Sequence, residues 1–158
     1  MIQSDTQKRS IAYHEAGHAA VAYELGAAVT KILLISGNEW TGKTHITWPN
    51  SHSAPIAASL AAGAIAQEKG EPGSIGLFTD RGDVNKLNEF ANAEMDNQHL
   101  IGPFALPDDK RKREAFLRQA EKKAQQIIEN NWEKIQRLAM SLLTSHHLDE
   151  EQITNLLK

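Results

Sequence analysis

Residues 10–26 read SIAYHEAGHAAVAYELG, and within them His14-Glu15-Ala16-Gly17-His18 spells HExxH on a stretch of helical periodicity. Asp5 or Thr6 can cap this helix, Ile11, Val21, Ala22 and Leu25 recur at helical steps, and Gly26 provides the stop. At about 3.6 residues per turn, His14 and His18 project from one face, one turn apart, so both imidazoles can reach one ion. Glu15 points to a neighbouring part of that face. It is badly placed to ligate and well placed to take a proton from a water that the metal activates. His14 and His18 also continue the apolar stripe, where unliganded rings would bury nitrogens in need of partners. A shared zinc ion removes that cost.

A catalytic zinc usually takes three protein ligands and keeps one position for water. The chain has no cysteine, so a thiolate site and a disulfide framework are both excluded and the metal must be held by His, Asp or Glu. Val21 stands where the extended metzincin pattern needs glycine, which excludes that class. Candidates for the third ligand are Glu68, Asp80, Asp83, Glu89 and Glu94. The two aspartates sit in a glycine-punctuated loop leading into a helix, where a carboxylate is easily presented inward; spacing alone does not choose between them.

Outward from the motif, VTKILLIS is rich in β-branched and aliphatic residues and KTHITW alternates, which predicts two strands of a hairpin whose connecting segment is bracketed by Gly37 and Gly42. Ala54 to Glu68 predicts a helix whose small residues let the first helix pack closely. After the turn-rich KGEPGSIGLFTDRG, Asp83 opens a third helix bearing Val84, Leu87, Phe90 and Ala91. From Asp108 to about Thr144 the apolar spacing predicts one long helix bent near Asn130-Asn131, with DDKRKRE as a solvated face and Trp132 in the core. Asp149 with Gln152 three residues on has the form of a capping box for a short last helix. The expected fold is a mainly helical α+β domain spanning residues 1–158, with the long helix covering its back.

With 158 residues and 41% hydrophobic composition the chain can build a core unaided. Its 17 Lys+Arg against 20 Asp+Glu, net −3, provide no basic field for nucleic acid. The N-terminal MIQSDTQKRSIAY lacks the apolar run of a secretory signal, and the apolar stretch from Ala54 to Ala66 is far short of the roughly 20 residues that span a bilayer. The expectation is a cytoplasmic protein with no nucleic-acid or membrane partner.

HEAGHAAVA, VTKILLIS followed by GKT, LAAGAIAQE and GDVNKLNEFA occur in an order that resembles the peptidase domain of the FtsH family of ATP-dependent zinc metalloproteases. The tail, with QRLAMSLL and LDEEQI, is similar too, so the resemblance covers nearly the whole chain. It implies His14, His18 and Asp83 as zinc ligands, Glu15 as catalytic base, and unfolded polypeptide or peptide as substrate. The family carries a membrane anchor and an AAA ATPase module, neither of which is encoded here, so the expectation is a stand-alone form. A separate ATPase partner and a homo-oligomer are both left open. QEKGEPG replaces the family's glutamate-rich helix end.

Gly37 to Thr44, GNEWTGKT, satisfies the phosphate-loop pattern, but such a loop must open a helix, and HITWPNS is β-branched and stopped by proline. A hairpin connection is the expected role. His45, His52, His99, His146 and His147 read as polar surface groups, and Trp40 and Trp48 as satellite core beside the hairpin. The edge of the 31–36 strand is a candidate for binding an extended peptide as an added strand. From a different class comes the alternative of a zinc-stabilised binding or regulatory module without turnover; the intact Glu15 argues against it.

Overall fold

Small residues decide how the first two helices meet. In the computed structural model, which describes residues 2–75, 81–97 and 107–158, helices α1 (Ile2–Glu24) and α2 (Ser53–Gly70) lie so close that a Cβ on Gly17 would fall 2.5 Å from the Ala66 side chain. Ala12, Ala16, Ala19 and Ala20 on α1, with Ala58, Ala62 and Ala66 on α2, are buried in this contact. α1 starts earlier than expected, which places Asp5 in its first turn rather than at the cap; a carboxylate there still complements the helix dipole. It stops at Gly26, which takes a left-handed φ of 91° while its amide donates to the Tyr23 carbonyl.

The chain then forms strands β1 (Ala28–Ile35) and β2 (Thr41–Thr47), paired antiparallel from Ala28–Thr47 to Ile35–Thr41. A register shift between Val29 and Lys31 inserts an extra residue, which is why Val29 and Ile32, three apart, both face the core. A third strand, β3 (His147–Asp149), was not expected: it pairs with β1 at Lys31–Leu33, giving the order β2-β1-β3. The Leu34 amide adds a bond to the His146 carbonyl. β1 is therefore the central strand. The proposed peptide-binding edge at residues 31–36 is corrected by this pairing, since its backbone groups from Lys31 to Leu34 already have partners on both sides.

Helix α3 (Arg81–Asn97) begins two residues before Asp83, leaving that carboxylate within its first turn. The expected long helix is two: α4 (Pro107–Asn130) and α5 (Trp132–Ser145) are broken at Asn131, whose amide and side chain both bond the Ile127 carbonyl. The Asn131 backbone, at φ −120° and ψ 19°, redirects the chain. Trp132 is half-buried and stacks on Tyr13 at 5.5 Å. α6 (Glu150–Leu157) opens with the expected capping box, Asp149 and Gln152 each bonding the other's backbone. Ile32, Ile128, Ile135, Leu138, Leu142, Ile153 and Leu157 fill the core between sheet and helices. The fold is thus α+β and mainly helical, with a small antiparallel sheet. Among the described residues no helix is long and apolar enough to cross a membrane.

Candidate metal centre

On α1, His14, Glu15 and His18 are all buried, at 6–7% exposure, with the two imidazoles edge to face at 4.6 Å. α2 makes room for them: a Cβ on Gly63 would lie 2.5 Å from His18 Nε2 and 2.6 Å from His14 Nε2. The first turn of α3 supplies the third group. Asp83 Oδ2 lies 2.8 Å from His14 Nε2 and 2.8 Å from His18 Nε2. Among the described residues these three form the cluster of ligand atoms, all within 4.8 Å of one another, that could hold a metal.

The outer nitrogens of the two rings fix which atoms face the centre. His14 Nδ1 meets Gln67 Oε1 at 3.0 Å, and His18 Nδ1 meets the Ser59 carbonyl at 2.7 Å. Both partners are acceptors, so each neutral ring carries its proton on Nδ1 and turns a bare Nε2 towards the Asp83 carboxylate. Three electron-rich atoms then converge on one place that only a cation, proton or metal, can satisfy. Burial works against a charge on His18, but the hydrogen bond and charge of Asp83, with Glu15 and the Ser59 carbonyl adding, raise its pKa to about 9. Burial likewise works to raise Asp83, but hydrogen bonds and charge from His14 and His18 hold it well below the usual carboxylate range. Zinc ligands at about 2.0–2.2 Å from the ion stand roughly 3.3 Å apart in a tetrahedron, so the observed 2.8 Å contacts need only a slight widening. The donor set fits zinc.

Glu15 reaches the same region from the sheet side. The Thr44 hydroxyl donates to its Oε2 at 2.5 Å, and a Cβ on Gly42 would lie 2.5 Å from its Cγ and Oε1. Gly42 and Thr44 of GNEWTGKT thus shape the space around a carboxylate, and the segment continues as β2 with no helix for an anion to bind. A pocket of about 250 Å³ opens beside His14 and Asp83, lined by Leu60, Ile65, Val84 and Leu87.

The other acidic candidates among the described residues stand outside the cluster. Glu68 accepts from the Gly73 amide, Glu94 accepts from the Ser53 hydroxyl, and Glu89 is exposed. Asp80 lies outside the described residues, as does His99. His52 and His147 are exposed, His45 is half-buried on β2, and His146 packs against Trp40. Trp40 and Trp48 both rest on the core. Sequence reasoning missed Ser59, Gly63, Gln67 and Thr44. Only the small residues of α2 carried a signal, as a surface built for close approach.

No family model matches the chain. It is 27% identical, over an alignment of 194 residues, to the ATP-dependent zinc metalloprotease FtsH 4 of Sorangium cellulosum (strain So ce56). The alignment covers 97% of this chain and 29% of that protein, so the chain spans less than a third of the relative's length. This is a distant, metalloprotease-related similarity.

Proposed function

We propose that the chain is a zinc-dependent peptidase domain acting on unfolded polypeptides or peptides. The observation that carries this reading is the convergence of His14 Nε2, His18 Nε2 and Asp83 Oδ2 on one point, with a buried carboxylate, Glu15, on the adjacent residue of the same helix. Bound zinc would supply Lewis acidity that polarises the scissile carbonyl and acidifies a water. The rest falls to the protein. Glu15, with Oε2 held by Thr44, keeps Oε1 to accept the water's proton as oxygen attacks the carbonyl carbon, and returns it to the amine as the C–N bond breaks. The outer edge of β2, on the Glu15 side of the sheet, is the place for an extended peptide to add as a strand. The 250 Å³ pocket beside His14 would seat an apolar side chain.

Glu15→Gln tests the reading, because an amide cannot accept the proton yet preserves shape. It should keep close to one zinc per chain by elemental analysis and lose cleavage of casein and of a disordered reporter peptide, cleavage that a chelator also stops in wild type. A zinc-loaded wild type that cuts nothing in a broad peptide library, and matches Glu15→Gln throughout, would sink the peptidase and favour the non-catalytic zinc-stabilised module.

A further inference from the structure

We infer that Gln67 is a positioning residue that sets the orientation and proton position of His14 for metal binding, an inference that rests on the function proposed above. Gln67 is 1% exposed near the C-terminal end of α2, in a helix whose other buried residues are alanines, Ser59 and Gly63. A buried amide is costly unless its groups are used. Its Oε1 takes the His14 Nδ1 proton at 3.0 Å, and its Nε2 donates to the Ser74 hydroxyl at 3.1 Å, itself buried just beyond the helix. The amide thus bridges Ser74 and His14, and with its oxygen turned to the ring it holds the ring with Nε2 towards Asp83.

The surrounding chain keeps this relay in place. Arg9 on α1 pairs with Glu71 at 2.5 Å, the Ser74 amide bonds the Glu71 carbonyl, and Gly70 lets the Tyr13 ring sit against the end of α2. His18 needs no such device, because its Nδ1 meets a helix carbonyl, that of Ser59. The two ligands thus have supports of different kinds: one is fixed backbone and the other a side chain that substitution can remove. Outer partners of this kind raise ligand basicity and fix the tautomer, and their loss costs roughly 10- to 100-fold in metal affinity.

The test measures zinc affinity by competition with a chromophoric chelator, and thermal melting of the metal-free chain, in wild type, Gln67→Leu, Gln67→Glu and Ser74→Ala. Gln67→Leu should bind zinc roughly 10- to 100-fold more weakly. Gln67→Glu, a permanent acceptor, should bind at least as tightly as wild type while melting lower without metal, because it buries a carboxylate. Ser74→Ala should weaken zinc binding by less than Gln67→Leu and lower melting modestly, because it removes a buried hydrogen-bond partner of the amide. Gln67→Glu then keeps affinity while losing stability, a separation that a purely structural role cannot produce. In nitrogen NMR of the zinc-loaded wild type, His14 should show a protonated Nδ1. Unchanged affinity in Gln67→Leu, or affinity that falls in step with melting in all three variants, overturns the role of Gln67 alone. A wild type that takes up no zinc overturns the functional reading and this inference with it.

Discussion

Two glycines divide the candidate centre at the scale of single residues. Gly63 leaves space for the imidazoles and Gly42 for the Glu15 carboxylate, so the same one-methyl change at each should have separable effects. Gly63→Ala is expected to abolish stoichiometric zinc, since the added carbon falls on both Nε2 atoms. Gly42→Ala should keep zinc and lose hydrolysis, because it displaces only the base. Elemental analysis beside a peptide assay reads both, and zinc retained in Gly63→Ala with full activity would contradict the geometry. Protons compete for the same atoms. The pKa of His18 is raised from 6.5 to about 9, so its contribution to the metal-free fold is complete below pH 6.5 and lost as pH rises through about 9. Asp83 is depressed, so its contribution holds above the ordinary carboxylate range and is lost only in acid. At the proposed centre, zinc would replace the proton on His18. Melting scans should therefore show the gain on zinc loading widening from pH 6.5 to 9, and a gain that stays flat would count against His18 as a ligand.

Among the elements, α3 carries Asp83; it packs through Leu87 and the buried Ala91, and Arg113 of α4 bonds its Asn88 at 2.6 Å and Asn92 at 2.9 Å, with Ser53 bonding Glu94 farther along. Losing the Arg113 bonds removes about 0.5–1.5 kcal/mol each. Arg113→Ala should weaken zinc binding by roughly 3- to 10-fold without touching the cluster, a change readable by chelator competition. Asp83→Asn should weaken it much further. The hairpin makes a different prediction: exposed Lys43 sits in a strand, so calorimetry with ATP and magnesium should show no micromolar binding, and binding that vanished in Lys43→Ala would revive the phosphate loop. Periodicity made the first helix, the alanine-rich helix, the hairpin and the last capping box legible. A three-residue strand such as His147–Asp149 has no period to read, and its pairing is decided by the edge β1 offers, more than a hundred residues away. The break at Asn131 was readable only as a bend, because apolar spacing continues across it. HExxH announces its histidines, whereas Ser59, Gln67 and Thr44 act through contacts that spacing along the chain does not encode.

For the whole molecule, metal bound at the proposed centre would share one equilibrium with folding. An ion at a hundred times its dissociation constant stabilises by about 2.7 kcal/mol, which for a chain of this size raises melting by about 5–10 °C. His14→Ala and His18→Ala should both abolish that rise; zinc-dependent melting retained in both would remove the centre. The 158-residue chain should cut casein slowly and leave a tightly folded protein intact, with or without ATP, as gel electrophoresis would show. The sheet order carries one last consequence. β1 offers Ile32, Leu33 and Leu34, and the strand that closes that side is made more than a hundred residues later. Until it arrives, a growing chain on the ribosome holds out an apolar, unpaired edge to whatever other strand is near. Clumping during synthesis, more than melting of the finished protein, is then the hazard to which changes in Leu148 or its neighbours expose the cell.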